Sequence, residues 1–148
     1  MEDKKTWYTD ESGQQVEKSD SIRAFIIKNG HVLLIPNEHT RELSIPGGTL
    51  KRDETHLECL KREYVEEVGD NPQNLIVGDH PFYEKDVIFK SPTKDKIKHQ
   101  TRIYYACTLQ RDPSADLNVT WIPIEKVSTI LTRDYQREMI AEYQKITQ

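Results

Sequence analysis

The chain has 148 residues and a net charge of −4, so a broad electrostatic grip on nucleic acid is not expected. No apolar run reaches membrane-spanning length, and the N-terminus lacks the apolar segment of a signal peptide. The two cysteines, Cys59 and Cys107, fit a reducing compartment better than a disulfide framework. These features predict a soluble cytoplasmic protein with a single domain over residues 1–148.

The first fifty residues have the composition of β-strands. Residues 6–18 predict a hairpin with its turn at residues 11–14. Residues 22–28 and 31–36 are rich in β-branched residues, and Asn29-Gly30 between them is a favoured two-residue hairpin turn. Residues 43–48 (LSIPGG) predict a short strand that breaks at Pro46.

A well-signalled helix follows the two glycines. Asp53 or Thr55 can cap its start, and Gly69 stands where a C-terminal glycine belongs. Apolar residues three or four positions apart predict one face that packs on a sheet. They are Leu57, Leu60, Tyr64 and Val68.

The remainder alternates strands with turns and ends in helices. Residues 74–90 predict one or two strands, residues 97–109 a long strand and residues 119–124 a short one. One or two helical turns are expected in residues 125–131, and residues 133–146 form an amphipathic helix. This order predicts an α/β fold in which a mixed sheet packs between helices.

Carboxylates crowd one face of the first helix. Glu63, Glu66 and Glu67 are spaced at i, i+3 and i+4, where like charges cost a helix a few tenths of a kcal/mol per pair. A bound divalent cation would reverse the sign of that cost. Mg²⁺ prefers oxygen ligands and often contacts substrate phosphates as well, so this face is a candidate metal site.

Neighbouring residues have candidate supporting roles. Gly47 and Gly48 let the backbone turn sharply and could present a carbonyl oxygen to a metal. Arg62 could pair with an acid, either to orient a catalytic carboxylate or to brace the loop. Glu54 and Glu58 are the two candidates for that acid.

The spacing of these residues resembles the Nudix box of the Nudix hydrolase family. All seven fixed positions of that pattern match: Gly48, Glu54, Arg62, Glu63, Glu66, Glu67 and Gly69. Two other positions depart from it, because Tyr64 and Asp70 stand where the family usually has bulky aliphatic residues.

The resemblance implies a Nudix-like α/β/α sandwich and a metal-dependent pyrophosphohydrolase that cleaves a nucleoside diphosphate linked to another moiety, with Mg²⁺ or Mn²⁺. It makes Glu63, Glu66 and Glu67 metal ligands, with the Gly48 carbonyl as a possible further ligand. Glu63, or less often a glutamate from a later loop, would accept the proton of the attacking water. Arg62 would orient Glu63, and Glu54 would hold Arg62.

The substrate is left open. Signatures of the coenzyme A, NADH, ADP-ribose and diadenosine polyphosphate subfamilies are not found, which favours a nucleoside triphosphate or a modified, for example oxidised, nucleotide. One alternative is a nucleotide-sensing binding module with little catalysis. Another is a hydrolase of RNA 5′ ends that uses the basic residues between Lys90 and Arg102.

Weaker candidates surround this motif. A homodimer contact through Trp7 and Tyr8 is an alternative to their covering the sheet, whereas the strand aromatics are expected in the core. The five histidines show no metal spacing and are expected at the surface or in loops, and Cys59 is expected to pack rather than react. Four acids could supply a further metal ligand: Glu84, Asp86, Asp112 and Asp116.

Overall fold

The computed structural model describes residues 2–37, 40–91 and 95–147. Those residues form nine strands, three α-helices and one 3₁₀ turn. The strands are β1 Lys5–Thr9, β2 Gln15–Lys28, β3 His31–Pro36, β4 Leu43–Ser44, β5 Gly47–Thr49, β6 Leu75–Val77, β7 Tyr83–Lys90, β8 Ile97–Leu109 and β9 Thr120–Pro123. The helices are α1 His56–Val68, α2 Ile124–Val127 and α3 Asp134–Ile146, and the 3₁₀ turn is Pro72–Asn74.

The sheet is built around the two longest strands. β2 and β8 run parallel, in a register that joins Val16 with Ile97 and Ile26 with Cys107. The other named strand pairs are antiparallel. The order is β4-β3-β2-β8-β6, with β1 and β5 beside β2, β7 beside β8 and β9 beside β3. The predicted mixed sheet is therefore confirmed.

Each face of the sheet carries its own apolar core. Under α1, the side chains of Ile22, Leu60 and Tyr64 are at most 1% exposed. On the opposite face, Phe25 packs with Met139 of α3 and with Val127 of α2. Alternate residues of β2 thus serve opposite cores, as strand geometry requires. The expected α/β/α sandwich with Nudix-like topology is confirmed.

The packing face of α1 differs from the prediction at one residue. Leu57 is 49% exposed and does not join the core, whereas Cys59 is fully buried beside Leu60. The inward position of the first turn belongs to His56, whose Nδ1 lies 2.7 Å from the Tyr105 hydroxyl. A polar contact therefore occupies the place that helical periodicity assigned to leucine.

Two strands also differ from their predicted extent. The hairpin strand and residues 22–28 merge into one continuous β2 of 14 residues. Its polar middle, Lys18 to Ser21, remains a strand because β8 pairs with it on one side and β1 and β5 on the other.

Within the part of the chain that the structure describes, no helix is long and apolar enough to cross a membrane. The predictions for His39, as one of the five histidines, and for Lys94, in the basic run, fall outside the described residues.

Candidate active site

The caps of α1 fix where its carboxylates point. Thr55, not Asp53, is the N-cap, and its Oγ1 accepts from the Glu58 amide at 3.1 Å while Glu58 Oε1 accepts from the Thr55 amide at 2.9 Å. This capping box occupies Glu58, so Glu58 is not the partner of Arg62. Gly69 ends the helix at φ 83°, a left-handed conformation that favours glycine.

Arg62 joins the start of α1 to its acidic face. Its Nε and Nη2 donate to the two carboxylate oxygens of Glu54 at 2.7 and 3.1 Å. Its Nη1 donates to Glu63 Oε1 at 2.8 Å, and Nη2 also reaches the Thr49 carbonyl at 3.2 Å. The Glu54 side chain is only 4% exposed, and the hydrogen bond from Arg62 holds the pKa of Glu54 below its usual value. The fork of Arg62 therefore fixes both carboxylates at once.

Gly48 leaves room for the Glu63 carboxylate. A Cβ atom at position 48 would lie 2.3 Å from Glu63 Oε1 and 2.6 Å from Cδ. Any other residue there would displace the carboxylate. The first glycine of the box is therefore needed for this close approach rather than for an unusual backbone angle.

Glu67 lies over the backbone of β5. Its Oε1 accepts from the Gly47 amide at 2.8 Å. The residue as a whole is exposed, but the carboxylate is confined between that backbone and Glu63. Loss of hydration, reinforced by the negative charge of Glu63, raises the pKa of Glu67 to about 7. Among the described residues Glu67 forms no ion pair, and the Gly47 amide and the positive charge of Arg23 offset its negative charge only in part.

Glu66 completes the acidic face. It is 56% exposed and lies 3.4 Å from Arg62 Nη1. Across residues 2–37, 40–91 and 95–147, no three His, Cys, Asp or Glu side chains are gathered as a metal cage. The oxygen donors nonetheless suit a hard cation that keeps several waters and needs few protein ligands. The repulsion between the Glu63 and Glu67 carboxylates, which raises the pKa of Glu67, also favours a cation at this face.

Cys59 is a packing residue. Its side chain is fully buried, and its Sγ lies 3.8 Å from the Gly48 carbonyl oxygen and 3.9 Å from that of Thr49. Burial raises the pKa of Cys59 to about 12. A thiol that is so reluctant to ionise is a poor nucleophile.

The two departures from the box pattern form one contact. The Tyr64 hydroxyl donates to Asp70 Oδ2 at 2.6 Å, and the Asn74 amide donates to the same oxygen at 2.8 Å. The Tyr64 ring is buried among apolar side chains at 1% exposure. A polar bridge here fixes the segment after α1, at the positions where the family usually has aliphatic side chains.

A cavity of about 290 Å³ opens beside Glu67. Among the described residues, Pro36, Asn37, Arg41 and Asn118 also line it. Asn118, from the segment before β9, was not anticipated, because a single asparagine in a loop carries no sequence signal. The acids predicted as a further metal ligand have other partners. Asp112 pairs with Lys28 at 2.6 Å, and Asp86 contacts Thr101 and His99. Asp116 accepts a hydrogen bond from Ser114. Glu84 lies opposite Ile103 on β7.

The basic residues between Lys90 and Arg102 do not act as one patch. Lys98 lies 3.8 Å from the buried Glu17 carboxylate and His99 lies 3.1 Å from Asp86. Arg102 faces the side of the sheet that carries α3. Alternation along β8 places Lys98 on that same face and His99 on the other, and carboxylates already pair with both Lys98 and His99. This arrangement does not favour an RNA end. The homodimer contact stays a prediction, although Trp7 and Tyr8 are 56% and 40% exposed.

Comparisons with known proteins assign the chain to a family. The sequence model of the NUDIX domain matches residues 18–143. The structure resembles an Ap4A hydrolase of C. elegans (15% identity, TM-score 0.65, 88% of this chain and 98% of the other). It also resembles a MutT protein of Methanosarcina mazei Go1 (20%, 0.68, 88% and 96%) and the ORF135 protein of E. coli (19%, 0.58, 88% and 91%). No curated protein sequence matches the chain closely enough to count as a relative.

The mixed sheet between helices is a Nudix fold, and the glutamates of the box lie on its helix α1. The chain belongs to the Nudix family, and it is a Nudix hydrolase. Proteins of this family generally use divalent cations such as Mg²⁺.

Proposed function

We propose that the protein, acting as one domain, is a Mg²⁺-dependent pyrophosphohydrolase that cleaves a nucleoside diphosphate linked to another group. The favoured substrate is a nucleoside triphosphate or a modified nucleotide. The observation that carries the proposal is the uneven charge of α1. Arg62 pairs with both Glu54 and Glu63, whereas Glu67 forms no ion pair among the described residues, and the positive charge of Arg23 offsets its negative charge only in part.

Glu63, Glu66 and Glu67 would hold the cation, with the Gly48 carbonyl oxygen as a further ligand. When bound, Mg²⁺ or Mn²⁺ would neutralise the polyphosphate and polarise a phosphoryl oxygen. Glu63 would accept the proton of the attacking water at Oε2, because Arg62 already occupies Oε1. Arg62 would keep that carboxylate aimed at the water, and the buried Glu54 would keep Arg62 in place.

The test is release of phosphate or pyrophosphate from a panel of nucleotides, with and without Mg²⁺. The panel holds canonical and oxidised nucleoside triphosphates, ADP-ribose, dinucleoside polyphosphates, nucleotide sugars and 5′-triphosphorylated RNA. Metal-dependent turnover of one class would support the proposal and identify the substrate. Tight binding of a nucleotide without turnover would overturn it in favour of a sensing module.

Glu67→Gln keeps the size of the side chain and removes its charge. We expect it to lower turnover by roughly 100-fold or more, as for loss of a charged group that acts on the transition state. The matched control is Glu125→Gln, an exposed glutamate in the first turn of α2, which should leave turnover unchanged. Equal turnover in Glu67→Gln and the parent would refute the role of Glu67.

A further inference from the structure

A second cavity, of about 200 Å³, lies on the face of the sheet that carries α3. Arginines from three elements line it: Arg23 of β2, Arg102 of β8 and Arg133, which immediately precedes α3. The sequence pattern did not single out Arg23 or Arg133, and it placed Arg102 in a basic run that could contact an RNA 5′ end. The three are far apart in the chain, so only the fold brings them together.

These arginines have few partners within the protein. Among the described residues, none of the three has a carboxylate oxygen within the 4.0 Å limit of an ion pair. Arg23 donates to Ser21 Oγ at 2.9 Å and to the Ile45 carbonyl at 3.1 Å. The buried Nε of Arg102 has no hydrogen-bond partner among those residues. Glu42 also lines the cavity, so the lining residues that the structure describes carry three positive charges and one negative charge.

The arrangement is electrostatically unfavourable as it stands. Burial, and next the positive charge of Arg23, lower the pKa of Arg102. The Arg102 guanidinium lies 4.8 Å from the centre of the Tyr135 ring, a contact that holds it in place without neutralising its charge. An anion would relieve the repulsion and satisfy the free Nε.

The cavity adjoins the carboxylate site. Arg23 pairs with Gly47 across β2 and β5, and the Gly47 amide binds Glu67. A substrate that extends from the acidic face past Gly47 would reach the arginines. At about 200 Å³ the cavity is smaller than the roughly 300–1,000 Å³ that enclose a whole ligand, so it suits one end of a longer molecule.

We propose that Arg23, Arg102 and Arg133 bind a phosphate group of the substrate, in addition to the diphosphate held at the acidic face. The inference rests on the proposed function. It narrows the substrate to nucleotides with a further phosphate, such as triphosphates or dinucleoside polyphosphates, and disfavours nucleotide sugars. Arginine suits this role because its planar fork matches phosphate oxygens in two parallel hydrogen bonds.

The probe is inorganic pyrophosphate, titrated into the full chain by calorimetry in EDTA. Without a metal the acidic face repels the probe, so binding reports the arginine cavity. We expect one site whose affinity falls with added salt. Arg102→Gln and Arg133→Gln should each weaken binding about tenfold or more, the effect of losing a charge-assisted hydrogen bond. Arg133 is exposed, so its variant should fold even if Arg102→Gln does not.

Arg137→Gln is the matched control, because Arg137 is an exposed arginine of α3 that does not line the cavity. It should bind pyrophosphate as the parent does. Absence of binding, or equal binding in all variants, would overturn the proposed phosphate subsite. If nucleotides are turned over but pyrophosphate does not bind in EDTA, the phosphate subsite is refuted and the proposed hydrolysis stands. If pyrophosphate binds but no nucleotide is turned over, the hydrolysis is refuted and the subsite stands.

Discussion

The acidic face of α1 and the arginine cavity carry opposite charges and are built in different ways. On the acidic side, Arg62 holds two carboxylates, the Gly47 amide holds a third and the Thr55 capping box fixes the helix. In the cavity, Arg102 has a buried nitrogen without a partner among the described residues. One site is held in shape by the protein itself, whereas the described lining of the other has an excess of positive charge that an anionic ligand could neutralise. Substitutions of Arg62 or Gly48 should therefore change the geometry of the carboxylates, and substitutions in the cavity should change the affinity for an anionic ligand.

The largest effect on turnover is expected from Gly48→Ala, which disturbs the acidic face of α1. The added Cβ would meet the Glu63 carboxylate at 2.3 Å and push it aside. Because the obstructing atoms end a flexible side chain, the fold should survive. We expect turnover to fall by roughly 100-fold, the usual consequence of a misplacement of about 1 Å. Kinetics on the substrate that the panel identifies would measure it, and unchanged turnover with the parent melting temperature would contradict the expectation.

Removing the Arg62 guanidinium should lower the unfolding free energy more than Gly48→Ala does. Arg62→Met leaves the Glu54 carboxylate, only 4% exposed, without its partner. Loss of one member of such a pair costs about 3–5 kcal/mol of unfolding free energy. Urea denaturation would measure the loss.

The double variant Arg62→Met with Glu54→Leu provides the control for this prediction, since it leaves no buried charge unpaired at the start of α1. It should recover most of the stability but not the turnover. A double variant as unstable as Arg62→Met alone would show that packing, rather than charge, sets the cost.

Tyr64→Phe tests the polar bridge at the end of α1. It removes the hydroxyl that donates to Asp70 at 2.6 Å and keeps the buried ring. A hydrogen bond to a charged group contributes about 1.5–3 kcal/mol, so a loss near the lower end is expected because Asn74 still donates to Asp70. Thermal unfolding would measure it. If Asp70→Leu restored stability in the Tyr64→Phe background, the two residues would be shown to act as a pair.

The smallest effect is the pH dependence of stability that follows from the Glu67 carboxylate. The pKa of Glu67 is raised to about 7, from an ordinary value of 4.5, so the fold favours its protonated form. Its contribution to stability is present in full below pH 4.5 and is lost as the pH rises through 7. In metal-free buffer, the unfolding free energy of the parent should fall over that range relative to Glu67→Gln. Parallel curves for the two proteins would contradict the shift.

The sequence specified the local features of this protein better than the distant ones. The box spacing, the turn at Asn29-Gly30 and the glycine that ends α1 depend on neighbours in the chain, and the structure confirms them as elements. Leu57 was misplaced because helical periodicity does not show that His56 finds Tyr105 across the sheet. Arg23, Arg133 and Asn118 were missed as site residues, and Arg102 was grouped with the other basic residues of β8, because these positions depend on strand register and loop path.

The Tyr64 and Asp70 positions make the same point in a different way. Compared singly with the family pattern, each looked like a defect. Their hydrogen bond shows that they compensate each other. A residue that departs from a motif is therefore best interpreted with the residue that it contacts, which a single sequence does not reveal.

The pairing of Arg23 with Gly47 in β2 and β5 couples the two charged regions through one backbone ladder. A single residue inserted between Ile45 and Gly47 would shift this register by one position and exchange the faces of β5. The insertion would move the amide that binds Glu67 and the glycine that accommodates Glu63 together, relative to Arg23. Length variation in descendants of this sequence should therefore avoid residues 45–48 and accumulate in exposed turns such as residues 11–14.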